Sequence, residues 1–333
     1  MITMQAPHCS VTTPQVTSHR GRFWIPGEIV ETDAGPAQRA PLYVEWEVKD
    51  QETTRPPLVL IHGGGGQGTD WLSTVDGRPG WAHHFVEASY PVYVVDRAGH
   101  GRSPYHPAAV GPMGPPFGYG PAQGLFVPPE RAEEQTAWPW GREPGDPHFD
   151  QLVAAFGPLP EDLGYSQDLD ADRLARLLDL IGPAILVTHS AGGPVGWVTA
   201  DRRPDLVTAI VAIEPMGPAF VEFPGMGRLD WGLTATPVTY EPSLNSPAEV
   251  EQAPPESRRM PGLTGTDVLV VTGGSSAFAD FADDIVEYLN HGGAQATRAH
   301  LPEFGISGNG HAIMQEQNSE ETIRPVLEWL DSR

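Results

Sequence analysis

Short apolar runs that alternate with helical patterns constrain the fold of this chain more than any other feature. Runs such as LVLI at 58–61, VYVV at 92–95 and AILV at 184–187 show no alternation between apolar and polar residues. Strands with this pattern are buried on both faces, as in parallel sheets that are covered by helices. The sequence therefore predicts an α/β fold with a mostly parallel central sheet flanked by helices.

Two local predictions come from helix and turn signals. Leucines at helical spacing predict a helix that is capped by Asp168 or Asp170 and ends at Gly182. Near the N-terminus, β-prone runs at 21–32 and 41–50 predict a two-stranded hairpin.

Two Pro- and Gly-rich segments interrupt the alternation. Residues 104–165 are also rich in aromatic side chains, which a solvated linker seldom carries. Long insertions in compact domains are usually lids or binding loops. We therefore predict a core of residues 1–103 and 166–333 with an inserted cap at 104–165, to which 217–265 is a candidate second contribution. A low-complexity linker is the alternative for each segment. The cap aromatics that we expect to contact a substrate are Phe117, Tyr119, Trp138 and Trp140.

The charge balance excludes several classes of partner. The chain has 20 Lys and Arg against 43 Asp and Glu, a formal net charge of −23. Such a surface repels nucleic acid and anionic lipid. No apolar run approaches the roughly 18 residues of a membrane span, and the single cysteine excludes an intrachain disulfide. Because no apolar leader is visible, we expect a cytoplasmic location, with a secreted mature form as the alternative; a homodimer is a candidate assembly.

Ser190 lies where a nucleophile could be presented between a strand and a helix. It stands in the sequence Thr188-His189-Ser190-Ala191-Gly192, whereas the motif for such a turn is G-x-S-x-G. Small residues are needed on both sides because the strand and the helix pack closely and the serine backbone is strained. Thr188 is larger than glycine but still short. A catalytic serine and a buried structural serine both fit this pattern.

A glycine loop, His62 to Gly66, directly follows the first apolar run. Glycines let backbone N–H groups approach a developing oxyanion without obstruction by side chains. The alternative is a phosphate-binding loop, which would need a Lys and a Ser or Thr at the start of a helix. The sequence GGGGQGTDW has no lysine. We expect His62 to be a structural hydrogen-bonding residue rather than a base.

A base and an acid complete the candidate constellation. His311 lies in a glycine-rich loop after the last strand and before the last helix, where a base can reach over Ser190. Two carboxyl groups compete for the role of acid. Glu214 ends the run AIVAIE, and Asp280 lies beyond the next strand in a predicted helix.

These residues together resemble the α/β-hydrolase family. The turn DRAGHGRS at 96–103 matches one that commonly follows the second core parallel strand in that family. More narrowly, VTHSAGG, AIVAIEP and GISGNGHAIMQEQNS are similar to a small group of bacterial esterases with a Ser–His–Glu triad. The resemblance implies the α/β-hydrolase fold with Ser190 as nucleophile, His311 as base and Glu214 as acid. It also implies that a hydroxyl residue is tolerated at position 188.

The resemblance implies further roles. The oxyanion donors would be the N–H groups of Ala191 and Gly64, with Gly65 as the second choice. Asp280 corresponds to the commoner position of the acid in the family and remains the rival. The implied function is a serine esterase that acts on small-molecule esters through an acyl-enzyme, with no cofactor and no metal. The alternatives are an acyltransferase or perhydrolase that uses the same triad, or a non-catalytic ligand-binding protein with this fold.

Overall fold

The fold is described from a computed structural model, for residues 16–223 and 227–333. The strands are β1 Ser18–Ile25, β2 Glu28–Thr32, β3 Gly35–Arg39, β4 Leu42–Lys49, β5 Leu58–Ile61, β6 Val92–Asp96, β7 Ala184–His189, β8 Val207–Ile213, β9 Glu222–Phe223, β10 Gly227–Arg228, β11 Asp267–Thr272 and β12 Gln295–His300. The helices are α1 Trp81–Glu87, α2 Pro107–Val110, α3 Tyr119–Phe126, α4 Pro147–Ala154, α5 Leu163–Ile181, α6 Gly192–Arg202, α7 Pro247–Gln252, α8 Ala282–His291, α9 Ser319–Thr322 and α10 Arg324–Asp331.

A mixed sheet forms the centre of the molecule. Among the described residues it has eight strands in the order β1-β4-β6-β5-β7-β8-β11-β12. The parallel part of the sheet consists of β6, β5, β7, β8, β11 and β12, and β4 and β1 add an antiparallel edge. This arrangement confirms the predicted α/β fold with a mostly parallel sheet.

Strand β7 shows why the apolar runs lack alternation. Every one of its residues is buried. Leu186 packs into the apolar cluster on one face of the sheet, and its neighbour Val187 packs into the cluster on the other face. Successive side chains of a strand point to opposite faces, so a strand between two helical layers needs apolar residues at every position.

The predicted hairpin is only partly correct. Strand β1 pairs with β4, with Phe23 opposite Val44, as the first half of the prediction requires. The residues after it form a separate ribbon, in which β2 pairs with β3 and Val30 lies opposite Ala37. The run 21–32 is therefore two strands, divided at Pro26-Gly27, because proline cannot donate a ladder hydrogen bond.

Helix α5 begins earlier than predicted. Its N-cap is Asp162, whose carboxylate accepts from Tyr165 N at 2.9 Å, so the prediction of Asp168 or Asp170 is wrong. The first turn buries Ser166 and Gln167, which apolar periodicity cannot reveal. The helix ends at Gly182 as predicted, in the left-handed region at φ 84°.

Asp170 has a different role inside helix α5. Its carboxylate accepts from Arg97 Nε and from the N–H of Ala98, both at 2.8 Å, and all three residues are buried. The turn after β6 is thereby fixed to the helix that precedes β7. Arg97 connects this turn to the glycine loop as well, because its backbone N–H donates to His62 Nε2 at 2.9 Å.

The segment predicted as a cap is folded and contains α2, α3 and α4. Its aromatic residues form a small apolar cluster of their own, with Phe126, Trp138 and Phe149 buried in it. Ala312, next to His311, belongs to the same cluster. By contrast, 217–265 packs largely into the core cluster beside the sheet, through residues such as Leu233. The division of the chain into core and cap stays a prediction.

Candidate active site

Ser190 lies in the sharp turn between β7 and α6. Its φ is 50°, in the left-handed region that residues with a side chain rarely adopt. Two hydrogen bonds hold this turn: Ser190 N donates to Ile213 O at 3.0 Å, and Gly193 N donates to Ser190 O at 2.9 Å. Backbone strain of this kind persists where the surroundings enforce it and is common at active sites.

The neighbours of Thr188 explain how it replaces the usual glycine. Its methyl group faces Gly196, one turn into α6, where an added Cβ would lie 3.0 Å from Thr188 Cγ2. On the other side of the serine, a Cβ at Gly192 would lie 2.7 Å from His62 O. The turn therefore keeps its close packing because Gly196 leaves the space that Thr188 occupies.

The structure brings Ser190, His311 and Glu214 together. Ser190 Oγ lies 2.9 Å from His311 Nε2, and His311 Nδ1 lies 3.3 Å from Glu214 Oε2. The three residues are buried, with relative exposures of 8%, 1% and 0%. Since a carboxylate only accepts, Nδ1 carries the proton toward Glu214 and Nε2 is free to accept the serine proton.

Glu214 follows β8 directly and also has a left-handed backbone, with φ 48°. Its Oε1 accepts from the N–H of Gly273 at 2.5 Å, and its Oε2 accepts from the hydroxyl of Ser276. Burial raises the pKa of Glu214 to about 8, and the bonds from Ser276 and Gly273 act in the opposite direction. The sequence analysis missed Ser276, because a hydroxyl in a loop after a strand has no distinctive pattern.

Burial also controls the ionisation of His311. It lowers the pKa of the imidazole to about 3. The rings of Phe278 and Phe126 lie with their centroids 4.1 and 5.2 Å from the imidazole and exclude water from it. A neutral imidazole is the form that can act as a base.

The rival acid lies outside this group. Asp280 is in a 3-10 turn, Ala277–Phe281, and its side chain is 71% exposed. Its carboxylate lies 3.6 Å from Arg131 Nη2, a residue of the cap segment. An exposed ion pair of this type contributes little to stability and does not orient a buried imidazole.

The glycine loop lies beside the serine. Gly64 lines the pocket at Ser190, and an added Cβ would lie 3.3 Å from Ala191 Cβ. Within residues 16–223 and 227–333, the N–H groups of Gly64 and Ala191 donate no hydrogen bond. Gly65 does not line this pocket. Its φ is 70°, and its carbonyl accepts from the N–H of Gly157 at 2.7 Å. His62 donates from Nδ1 to Gly63 O at 2.8 Å, in the structural role expected for it.

A buried carboxyl group supports the loop that carries His311. Glu316 accepts from the N–H of Gly310 at 2.8 Å, from the Asn309 amide at 2.8 Å and from the Gln135 amide at 2.7 Å. Burial raises the pKa of Glu316 to about 7. Gln135 belongs to the cap segment, so Glu316 joins the cap to the loop of the base. No sequence pattern marked this network, because Gln135 lies far along the chain from Asn309, Gly310 and Glu316.

The pocket at Ser190 is nearly closed. Its volume is about 20 Å³, and the cap contributes Phe126, Leu152 and Phe156 to its walls. A space of this size holds about one water molecule. A space of this size is smaller than an ester substrate requires.

The four predicted substrate contacts lie behind these walls. Phe117 packs edge-on against Phe126 and Phe156, and Trp138 is buried in the cap cluster. Trp140 stacks on the ring of His148, and Tyr119 donates to Asp150 at 2.8 Å. None of the four lines the pocket within the described residues. Their contact with substrate stays a prediction for an open cap.

The described residues contain no group of three or more His, Cys, Asp or Glu side chains placed to hold a metal ion. They also contain no helix with the length and apolar character that crossing a bilayer requires.

Comparison with known proteins decides the family. Residues 56–251, more than half of the chain, match the model of the α/β hydrolase fold family. This chain belongs to the α/β-hydrolase family. The family model covers β5 to α7 and so includes both the glycine loop and Ser190.

Two relatives of this α/β hydrolase are informative. It is 36% identical over 324 residues to a probable secreted lipase, phiG, of Fungal sp. (strain ATCC 74256), with 90% of this chain and 88% of that protein covered. Its fold matches the structure of a novel bacterial esterase with a TM-score of 0.73 at 23% identity, covering 97% of this chain and 98% of the other. At this identity the structural match shows the fold alone. The lipase is a fungal protein named as secreted, so the cytoplasmic location of this chain stays a prediction.

The fit between Thr188 and Gly196 can be tested by a double-mutant cycle. Alanine in a helix is favoured over glycine by about 1 kcal/mol. We expect Gly196→Ala to gain this stability in a Thr188→Gly background, where the Cβ has room. In the wild-type background the contact with Thr188 should remove the gain. Urea unfolding of all four proteins gives the coupling, and an equal effect of Gly196→Ala in both backgrounds would contradict the packing explanation.

Proposed function

We propose that this α/β hydrolase cleaves carboxylic esters through an acyl-enzyme formed on Ser190. The observation that carries the proposal is the 2.9 Å contact between Ser190 Oγ and a neutral, buried His311. A serine becomes a nucleophile when an adjacent base takes its proton. The lipase to which the chain is 36% identical supports an ester substrate.

The triad accounts for both halves of the reaction. Ser190 Oγ attacks the ester carbonyl while its proton passes to His311 Nε2, and the imidazolium then protonates the leaving alcohol. Water then attacks the acyl-enzyme while His311 takes its proton. The imidazolium returns this proton to Ser190 Oγ as the bond between Oγ and the acyl carbon breaks and the acid product leaves. Glu214 stabilises the imidazolium through Nδ1–H. Because burial raises its pKa, this carboxylate is a stronger hydrogen-bond acceptor than an exposed one.

The oxyanion is stabilised by backbone donors. The N–H groups of Gly64 and Ala191, which donate to no other described residue, flank Ser190 in the glycine loop and at the N-cap of α6. Donors that are fixed before the reaction need no reorganisation as charge develops, and one such donor typically contributes roughly 3 kcal/mol. The closed cap strengthens these interactions by excluding water.

Covalent labelling tests the nucleophile. A fluorophosphonate should add once to the wild-type protein, at Ser190, and Ser190→Ala should abolish both the adduct and ester turnover. Mass spectrometry of the intact protein and of its peptides locates the adduct. Ser275→Ala is the matched control, because Ser275 is also buried, with 4% exposure, but is not part of the triad, and this variant should still be labelled. Labelling of Ser190→Ala, or none in the wild type, would rule out the proposal, and the latter result would favour a non-catalytic binding protein.

The acid is tested by a matched pair of charge-removing variants. Glu214→Gln should lower kcat on the order of 10⁴-fold, as loss of a triad acid's charge does. Asp280→Asn should cost less than ~10-fold, because an exposed carboxylate paired with Arg131 does not reach His311. Steady-state kinetics decides between them, with circular dichroism to confirm folding. A folded Glu214→Gln with near-normal turnover would transfer the role to another group.

The pKa of Glu214 predicts the pH profile. Turnover needs Glu214 ionised and His311 neutral, and of these two deprotonations that of Glu214, at about 8, comes last as pH rises. We therefore expect kcat/KM for a neutral ester to increase with pH up to about 8 and then to level off. Initial rates at pH 5 to 10, corrected for spontaneous hydrolysis, measure the profile. Asp280→Asn should keep this limb and Glu214→Gln should lose it; a flat wild-type profile would contradict the assignment.

A further inference from the structure

The pocket at Ser190 has a polar wall that the triad does not use. Asp70, in the 3-10 turn Gly68–Trp71, and Gln315, four residues after His311, both line this pocket. His189, which precedes the nucleophile, lines it as well. Among the described residues, each of these side chains has one polar atom with a hydrogen-bond partner in the protein and one without.

Asp70 has a free carboxyl oxygen. Its Oδ2 accepts from the N–H of Gln67 at 3.4 Å, a long bond that caps the 3-10 turn. Its Oδ1 receives no hydrogen bond from the residues that the structure describes. The side chain is half-buried at the pocket wall, and burial raises its pKa to about 7, with a smaller contribution from the charge of Asp96. Capping therefore explains one oxygen of this carboxyl and leaves the other without a partner.

Gln315 presents a second free acceptor. Its side-chain Nε2 donates to the backbone carbonyl of Asp70, which fixes the amide next to the carboxyl group. The residue is buried, with 6% exposure. No donor among the described residues reaches its Oε1.

His189 presents a third acceptor. Its Nε2 lies 3.0 Å from the carbonyl oxygen of His311, and since a carbonyl only accepts, Nε2 carries the proton. Desolvation lowers the pKa of His189 well below its ordinary value, so the ring is neutral and Nδ1 has a lone pair. This Nδ1 accepts nothing from the described part of the chain.

The rest of the pocket wall near these atoms is apolar, with Phe126, Leu152, Phe156 and Met314. Acceptors that lie beside apolar walls and receive no donor from the described residues are available to a ligand, so a ligand that supplies a donor is favoured over one that does not. From the oxygens of Asp70 and Gln315 and the Nδ1 of His189, we infer that the pocket selects esters that carry a hydroxyl group on the acyl or alcohol part. This hydroxyl group donates a hydrogen bond to the carboxylate of Asp70. This inference rests on the proposed esterase function.

Matched ester pairs test the inference. The acyl pairs compare p-nitrophenyl butyrate with its 2-hydroxy and 3-hydroxy derivatives. The alcohol pair compares butyl butyrate with 4-hydroxybutyl butyrate, and hydrolysis of this pair is measured by the release of acid. The readout is the ratio of kcat/KM for the hydroxylated ester to that for its parent, at pH 8, where Asp70 is largely ionised. We expect at least one ratio of about tenfold or more, because a site built to bind a hydroxyl rejects an analogue that lacks it.

Variants then assign the preference to Asp70. Asp70→Leu removes the acceptor and keeps the shape, and it should reduce that ratio at least tenfold whatever it does to the absolute rates. Asp283→Leu is the control: it removes a charge from a side chain that is 77% exposed and paired with Arg298, and it should leave the ratio unchanged. If Asp70→Leu does not fold, Gln315→Met provides the second reading and should lower the ratio several-fold.

The possible failures are distinguishable. Normal labelling of Ser190 with no ratio above one in the wild type would overturn the inference, show that the free acceptors bind only water, and leave the esterase proposal intact. A preference that survives Asp70→Leu would also overturn it. Absence of both labelling and turnover in the wild type would overturn the esterase proposal, and the inference with it.

Discussion

The buried carboxyl group of Glu214 is the point on which the candidate site depends. A carboxylate without water must find donors in the protein, and Glu214 finds them on Gly273, Ser276 and His311. These three residues come from the turn after β11 and from the loop before α9. Satisfying one buried group thus fixes the ends of β8 and β11 and the position of the base relative to one another.

A second buried carboxyl group has the same need for hydrogen-bond donors. Glu316 is also buried, and it binds the loop of His311 on one side and the cap residue Gln135 on the other. Backbone bonds strengthen this connection, because Ala137 donates to Gly308 and accepts from Gln317, both at 2.9 Å. This part of the cap is therefore fixed to the core. Gln135 also donates to the carbonyl of Phe126 at 2.8 Å, so this residue of the pocket wall is held by the same network.

The sequence predicted the sheet, the candidate triad residues and the glycine loop because each leaves a local signal. Ser190, Glu214 and His311 all follow strands, and parallel strands bring such positions to one edge of the sheet. Ser276 and Glu316 left no local signal, because their roles depend on burial and on distant partners, Glu214 for Ser276 and Gln135 for Glu316. The sequence analysis selected large cap aromatics such as Trp138, whereas the cap residues that line the pocket are Phe126, Leu152 and Phe156. Composition shows that a segment is folded, and only packing shows which side chains face the serine.

The place of Glu214 has a consequence for how such a chain can diverge. Glu214 follows the strand next to that of Ser190, and the N–H of Ser190 donates to Ile213 in that strand. The long segment 217–265 begins only after Glu214, the proposed acid. Its length and sequence can change without altering the path between nucleophile and acid, whereas an acid after β11 would lie downstream of every such change. An early acid leaves this segment free to acquire new loops, and with them new specificities, while the distance between Ser190 and Glu214 is kept by the pairing of two adjacent strands.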